Sequence, residues 1–107
     1  FAASVYQFVQ QYQLDGLDID WEYPTIPAAG TGARDADKQN FTTLMMRLRA
    51  VLDSTNRPQT LTFASAGWQP YYDKIETEKV MQYADYMNIM TYDQVSGVSV
   101  YTGHHTP

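Results

Sequence analysis

The sequence predicts an α/β fold in which three parallel strands, separated by helices, form part of a (β/α)8 barrel of the TIM type. Two patterns point there. Segments of helical period alternate with short extended segments in the order helix, strand, helix, strand, helix, strand. The stretches joining successive strands are too long for hairpins, so the strands are expected to pair in parallel through helical crossovers. A third consideration sets the scale. Three such strands alone leave two open edges, which natural domains avoid. A whole barrel takes about 250 residues, whereas this chain has 107. Residues 1–107 are therefore expected to be a central fragment of a larger closed domain, poorly folded in isolation. The start at Phe1 and the loop-like close at Gly103-His104-His105-Thr106-Pro107 fit that expectation.

The first helix is expected over Ser4–Tyr12, where Val5, Phe8, Val9 and Tyr12 form one apolar stripe and Gln7, Gln10 and Gln11 face water. Leu14–Tyr23 then alternates at period 2. Leu17, Ile19 and Trp21 point one way, and Gly16, Asp18, Asp20 and Glu22 the other. Trp21 is thereby expected to pack on helices, away from the acids. Pro24, Pro27 and the run Ala28-Ala29-Gly30-Thr31-Gly32 forbid regular structure and mark a loop.

A second helix is expected after an N-cap at Asp35 or Asp37, with Phe41, Leu44, Met45, Leu48, Val51 and Leu52 as its apolar face. Asn56-Arg57-Pro58 should end it, because the residue before proline avoids the α region. Thr60–Ala66 is β-branched, aromatic and small, and reads as a buried strand stopped at Gly67. Pro70–Glu76 reads as irregular. Glu78–Tyr83 reads as a short helix with Val80, Tyr83 and Ala84 inward, and Tyr86–Tyr92 as a third strand with Asp93 at its tip. Gln94–Pro107 reads as loop.

Composition narrows the chemistry. Seven basic against twelve acidic side chains give a net charge of −5, with no Lys/Arg run. That argues against a nucleic-acid or anionic-membrane surface. No apolar stretch approaches the roughly 18 residues that span a bilayer. With no cysteine there is neither a disulfide framework nor a thiolate metal site.

The informative segment is the acidic one. Asp18, Asp20 and Glu22 lie on one face of an extended segment, about 7 Å apart in succession. Strands of a covered parallel sheet normally read as continuous apolar runs. Unpaired carboxylates pointing into such a space would each cost several kcal/mol, so a purely structural purpose is hard to find. The bland alternative is a polar surface strand of an unrelated antiparallel sheet. Acids so spaced form a coupled set, in which neighbouring anions disfavour a further charge and so help one member keep a proton to donate. Asp15, at the strand's beginning, is read as a backbone anchor.

The run Asp15-Gly16-Leu17-Asp18-Ile19-Asp20-Trp21-Glu22-Tyr23-Pro24 closely resembles the D-G-x-D-x-D-W-E-Y-P signature of family 18 glycoside hydrolases, the chitinases. Met90-Thr91-Tyr92-Asp93 resembles the M-x-Y-D motif of the same family, and Gly103–Pro107 the loop that follows it. The resemblance covers essentially the whole chain and implies barrel strands four to six. It also implies a substrate-assisted mechanism that retains anomeric configuration. Glu22 would be the general acid; the acetamido carbonyl of the substrate would be the nucleophile. Asp20 would hold the acetamido N–H, Asp18 would tune and reorient Asp20, and Tyr92 would align the acetamido oxygen. Met90 would floor the N-acetyl pocket and Asp93 would contact substrate. The implied ligand is chitin or an N-acetylglucosamine oligosaccharide, with no cofactor and no metal, and the implied location of the parent is extracellular.

Other readings stay open at this stage. Trp68, Tyr71 and Tyr72 follow the middle strand, on the side where barrel sites open, and could stack on sugar rings or simply pack the loop. Met90 and Asp93 could equally be a core residue and a turn cap. His104 and His105 are adjacent, so their side chains diverge and a joint metal site is disfavoured. An endo-β-N-acetylglucosaminidase acting on N-glycans would share the barrel and the acids. A chitinase-like lectin would typically lack the residue at Glu22, which is present here.

Overall fold

The computed structural model describes residues 1–28 and 30–106; Ala29 of the Pro/Gly loop and Pro107 lie outside the described residues. Helix α1 (Ala2–Tyr12) leads into β1 (Gly16–Ile19), α2 (Asp37–Asp53), β2 (Thr60–Ala66), the short helices α3 (Gln69–Asp73) and α4 (Thr77–Val80), and β3 (Tyr86–Met90). The three strands form one parallel sheet in the order β1-β2-β3. The α/β fold class is borne out.

Alternation along β2 separates two faces. Leu61, Phe63 and Ser65 are fully buried on the helix side. There they meet Ile19 of β1, Phe41, Met45, Leu48 and Leu52 of α2, Val5 and Val9 of α1, and Val80. Phe41 anchors this layer, edge-on to Phe63 at 5.4 Å and to Trp21 at 6.0 Å. Trp21 thus packs on a helix, as its place in the alternation predicts. On the opposite face Asp18, Thr62, Ala64, Asn88 and Met90 follow one another across the sheet. Apolar residues at the sheet edges remain exposed, Tyr86 and Ile89 among them.

Several boundaries differ from expectation. The first strand ends at Ile19, so Asp20, Trp21, Glu22 and Tyr23 follow the ladder rather than belong to it. Tyr92 likewise lies two residues past the end of β3. Neither Asp35 nor Asp37 is the N-cap; that position is Ala36, which has no side-chain oxygen to offer. Asp37 is instead a buried first-turn residue. Its carboxylate accepts hydrogen bonds from the Arg34 backbone N–H and guanidinium, both at 2.9 Å, and from Asn40 at 3.2 Å. Burial pushes its carboxyl upward, but these donors outweigh that and hold it below its ordinary value. Helix α2 stops at Asp53, before Asn56. The Ser54 and Thr55 hydroxyls take up the Val51 and Leu52 carbonyls at 2.7 and 2.8 Å. Pro70–Asp73 is helical rather than irregular, since proline near a helix start forfeits no hydrogen bond.

At the N-terminal ends of the strands, polar contacts set the register. The Asp85 carboxylate accepts the Leu61 N–H at 2.8 Å, and Arg49 of α2 reaches Asp85, Asp53 and the Gln59 carbonyl. Asp15 pairs with Arg57, and its carbonyl accepts the Thr60 N–H at 2.9 Å. Between these anchors stands Gly16, paired with Thr60. A Cβ there would sit 2.1 Å from the Thr60 carbonyl oxygen, which is backbone and cannot step aside. Gly16→Ala is therefore expected to destabilise the folded protein by about 3 kcal/mol, the upper end for overpacking. Gly97→Ala, where a Cβ meets nothing within 4 Å, should leave the urea midpoint in place. Equal midpoints for the two variants would contradict this account of β1.

Candidate active site

Two chain segments leave the C-terminal ends of the outer strands and face each other across the middle one. From β1 comes Asp20-Trp21-Glu22-Tyr23, and from β3 comes Thr91-Tyr92-Asp93-Gln94; Gly67 and Trp68 leave β2 between them. They enclose an open cleft of about 530 Å³ lined by Glu22, Tyr23, Ala66, Trp68, Met90, Tyr92 and Asp93, among others. The cleft is at the end of the strands where barrel enzymes place their chemistry.

Beneath it lies Asp18, on the ladder itself. Its Oδ1 accepts the Thr62 hydroxyl and the Asn88 amide, the latter at 3.0 Å. Asp20 is exposed and, together with Trp21, borders the open edge of β1. Glu22 is half-buried, and its carbonyl accepts the Thr31 hydroxyl at 3.2 Å, which ties the Pro/Gly loop back to the acid. The peptide bond from Glu22 to Tyr23 is cis.

Tyr23 is a cleft residue that the sequence pattern does not single out, and it packs against the apolar core as well. Extending period 2 past Ile19 puts it beside Trp21 on the helix side, yet it lines the cleft next to Glu22. Its ring meets Trp68 and Tyr71 edge-on, at 5.6 and 5.8 Å. Burial holds its phenol above the ordinary tyrosine value, and the Glu22 carboxylate, as acceptor and as charge, adds to this. Asp20 and Tyr92 contribute further. Glu22, Asp20 and Tyr92 are thus each within electrostatic reach of Tyr23.

The aromatic residues after β2 divide. Trp68 lines the cleft with 41% of its surface open. Tyr71 is core, at 1% exposure, and its phenol is pushed up chiefly by burial. Tyr72 is half-buried, its hydroxyl 3.2 Å from Ser65 Oγ. Of the three, only Trp68 offers a ring to a ligand. His105 turns to Asp93, whose backbone N–H lies 3.5 Å from Nδ1. Asp93 itself has φ 57°, in the left-handed region that aspartate tolerates at a turn. Among the described residues, no group of three histidines or acids could hold a metal ion, and no helix is long and apolar enough to cross a membrane.

A parallel strand–helix sheet here gathers acids, phenols and an indole at the C-terminal ends of its strands, the end at which (β/α)8 barrels open their sites. The sequence profile described as "Glycosyl hydrolases family 18" matches residues 1–107, and the chain belongs to that family. It is 36% identical over 112 residues to Chitinase A1 of Niallia circulans, a match covering 100% of this chain and 16% of that protein. It superposes with TM-score 0.91 and 42% identity on a family 18 N-acetylglucosaminidase from Paenibacillus barengoltzii, covering 99% of this chain and 32% of the other. Against Chitinase ChiW of Paenibacillus sp. str. FPU-7 the TM-score is 0.90 at 42% identity, covering 98% and 13%. The chain thus spans a third or less of the length of these relatives.

The raised phenols give stability a defined pH dependence. With the folded-state value above 10, the ordinary value, protonated Tyr23 and Tyr71 contribute fully below that pH. The contribution is lost as pH rises from there through the folded-state values. Ultraviolet difference titration should show late ionisation of the Tyr23 phenol, a component missing in Tyr23→Phe. A Tyr23 phenol that ionised at the ordinary tyrosine value would contradict the packing described here.

Proposed function

We propose that the chain carries the catalytic acids of a retaining glycoside hydrolase, acting on β-1,4-linked N-acetylglucosamine in chitin or its oligosaccharides. We place it as strands four to six of a longer barrel. The observation that supports this most is the convergence of Glu22, Met90, Tyr92, Asp93 and Trp68 on one cleft, with Asp18 and Asp20 on the acid's own segment. These residues come from segments up to seventy-five positions apart, and a merely solvated surface has no reason to gather them.

In this reading the N-acetyl group of the bound sugar supplies the nucleophile. Its carbonyl oxygen attacks C1 as the C1–O glycosidic bond breaks, and the bonding pair leaves with the glycosidic oxygen, which takes the Glu22 proton. The sugar becomes an oxazolinium ion. Asp20 accepts the acetamido N–H and faces the positive charge as it grows; such contacts accelerate because they strengthen in the transition state. Tyr92 donates its O–H to the acetamido oxygen and so orients it for attack. Glu22, now a carboxylate, takes a proton from the water that opens the ring at C1. Two displacements at one carbon leave the configuration as it began.

Met90 lies under the N-acetyl group, Asp93 hydrogen-bonds a sugar hydroxyl, and the open face of Trp68 stacks on a pyranose ring. An insoluble extracellular polymer as substrate implies a secreted or surface-held parent. In the enzyme carrying this chain, Glu22→Gln should lower kcat on chitin oligomers by about 10²–10⁴ while oligosaccharide still binds by calorimetry. Near-normal turnover would reject Glu22 as the acid. Cleavage of a glycoprotein's N-glycans with chitin oligomers left intact would reject the substrate.

A further inference from the structure

Asp18 does not stand free on its strand. A single oxygen, Oδ1, accepts two hydrogen bonds from two other strands: from the Thr62 hydroxyl of β2 and from Asn88 Nδ2 of β3 at 3.0 Å. Thr62 is its direct register partner. Asn88 is opposite Ala64, two positions further along β2 and one strand beyond. Adjacent strands are about 4.8 Å apart, so the asparagine reaches across the whole width of β2. It can do so because its own register partner on β2, Ala64, carries only a methyl.

The donor inventory then limits what Asp18 can do. An asparagine NH2 only donates, and it occupies Oδ1 together with the hydroxyl. With Oδ1 so occupied, the oxygen left to meet the neighbouring acid on the same segment is Oδ2. We propose that Thr62 and Asn88 are positioning residues: by clamping Oδ1 across three strands they fix the Asp18 rotamer and commit Oδ2 to Asp20. The inference rests on the proposed function, since it assigns the clamp a part in orienting Asp20 toward the acetamido N–H. Among the described residues, Thr62 and Asn88 are the two side chains that hydrogen-bond Asp18. Across the sheet β2 presents only Thr60, Thr62 and Ala64, none of them charged, and β3 presents Tyr86 beside Asn88.

Thr62→Val keeps the shape of the side chain and removes the donor, whereas Thr62→Ser keeps the donor and removes a methyl. Asn88 is exposed, so Asn88→Ala tests the second arm with little packing change. In the full-length enzyme, with chitotetraose as substrate, Thr62→Val and Asn88→Ala should each lower kcat about tenfold, the equivalent of one charge-assisted hydrogen bond. KM should move far less, and Thr62→Ser should restore most of kcat. Wild-type kcat in Thr62→Val and Asn88→Ala would overturn the clamp while leaving the proposed function standing. A Thr62→Ser enzyme as impaired as Thr62→Val would also overturn it, because the methyl rather than the hydroxyl would then matter. A wild-type enzyme that fails to cleave chitotetraose would overturn the proposed function, and the clamp with it.

Discussion

The register of β1 against β2 is the constraint on which the rest depends. Gly16 lets the two backbones approach where any side chain would collide with the Thr60 carbonyl, and the Thr60 N–H closes on Asp15 just before it. Slipping one residue would turn every side chain of β1 to the other face. Leu17 and Ile19 would then meet water, and Asp18 would enter an apolar layer that holds Phe41, Leu61 and Phe63. The cost of that exchange, several kcal/mol for the carboxylate alone, is what keeps the acids on the open side.

Given that register, division of labour between the two faces follows from elementary chemistry. The helix side excludes water and holds the strands by apolar contact, with Phe41 meeting Trp21 and Phe63 edge-on. The other side carries small residues on β2, Thr62, Ala64 and Ala66, between the acids of one neighbour and the Asn88, Met90 and Tyr92 side of the other. Their smallness has a use. It leaves room for polar side chains of β1 and β3 to meet over the middle strand and for a cleft to open at its end.

Periodic segments were legible in the sequence, and the exits from them were not. Helix α2 and strand β2 declare themselves through apolar spacing, and each lies within a few residues of its expected bounds. The acid segment declares its face while it is extended. Past Ile19 the ladder pairing ends, alternation no longer constrains direction, and Tyr23 swings to the cleft. Spacing also cannot see partners brought in from elsewhere. Asp37 has the type and place of a cap but is drawn inward by Arg34 and Asn40. Tyr71 and Tyr72 are neighbours of Trp68 in sequence, yet the α3 turn sends one ring to the core and leaves the indole open. The link between Asp18 and Asn88 joins residues seventy positions apart, beyond the reach of local pattern.

The central proposal is that the acid at the end of this segment works through two displacements at the anomeric carbon, the first by the substrate's own acetamide, rather than with a directly attacking water. The anomeric form of the first product, followed by proton NMR before mutarotation, tests this directly. Two displacements at one carbon predict that the new reducing end appears as the β anomer. An α anomer as the initial product would contradict the account, because it requires a single displacement by water from the opposite face.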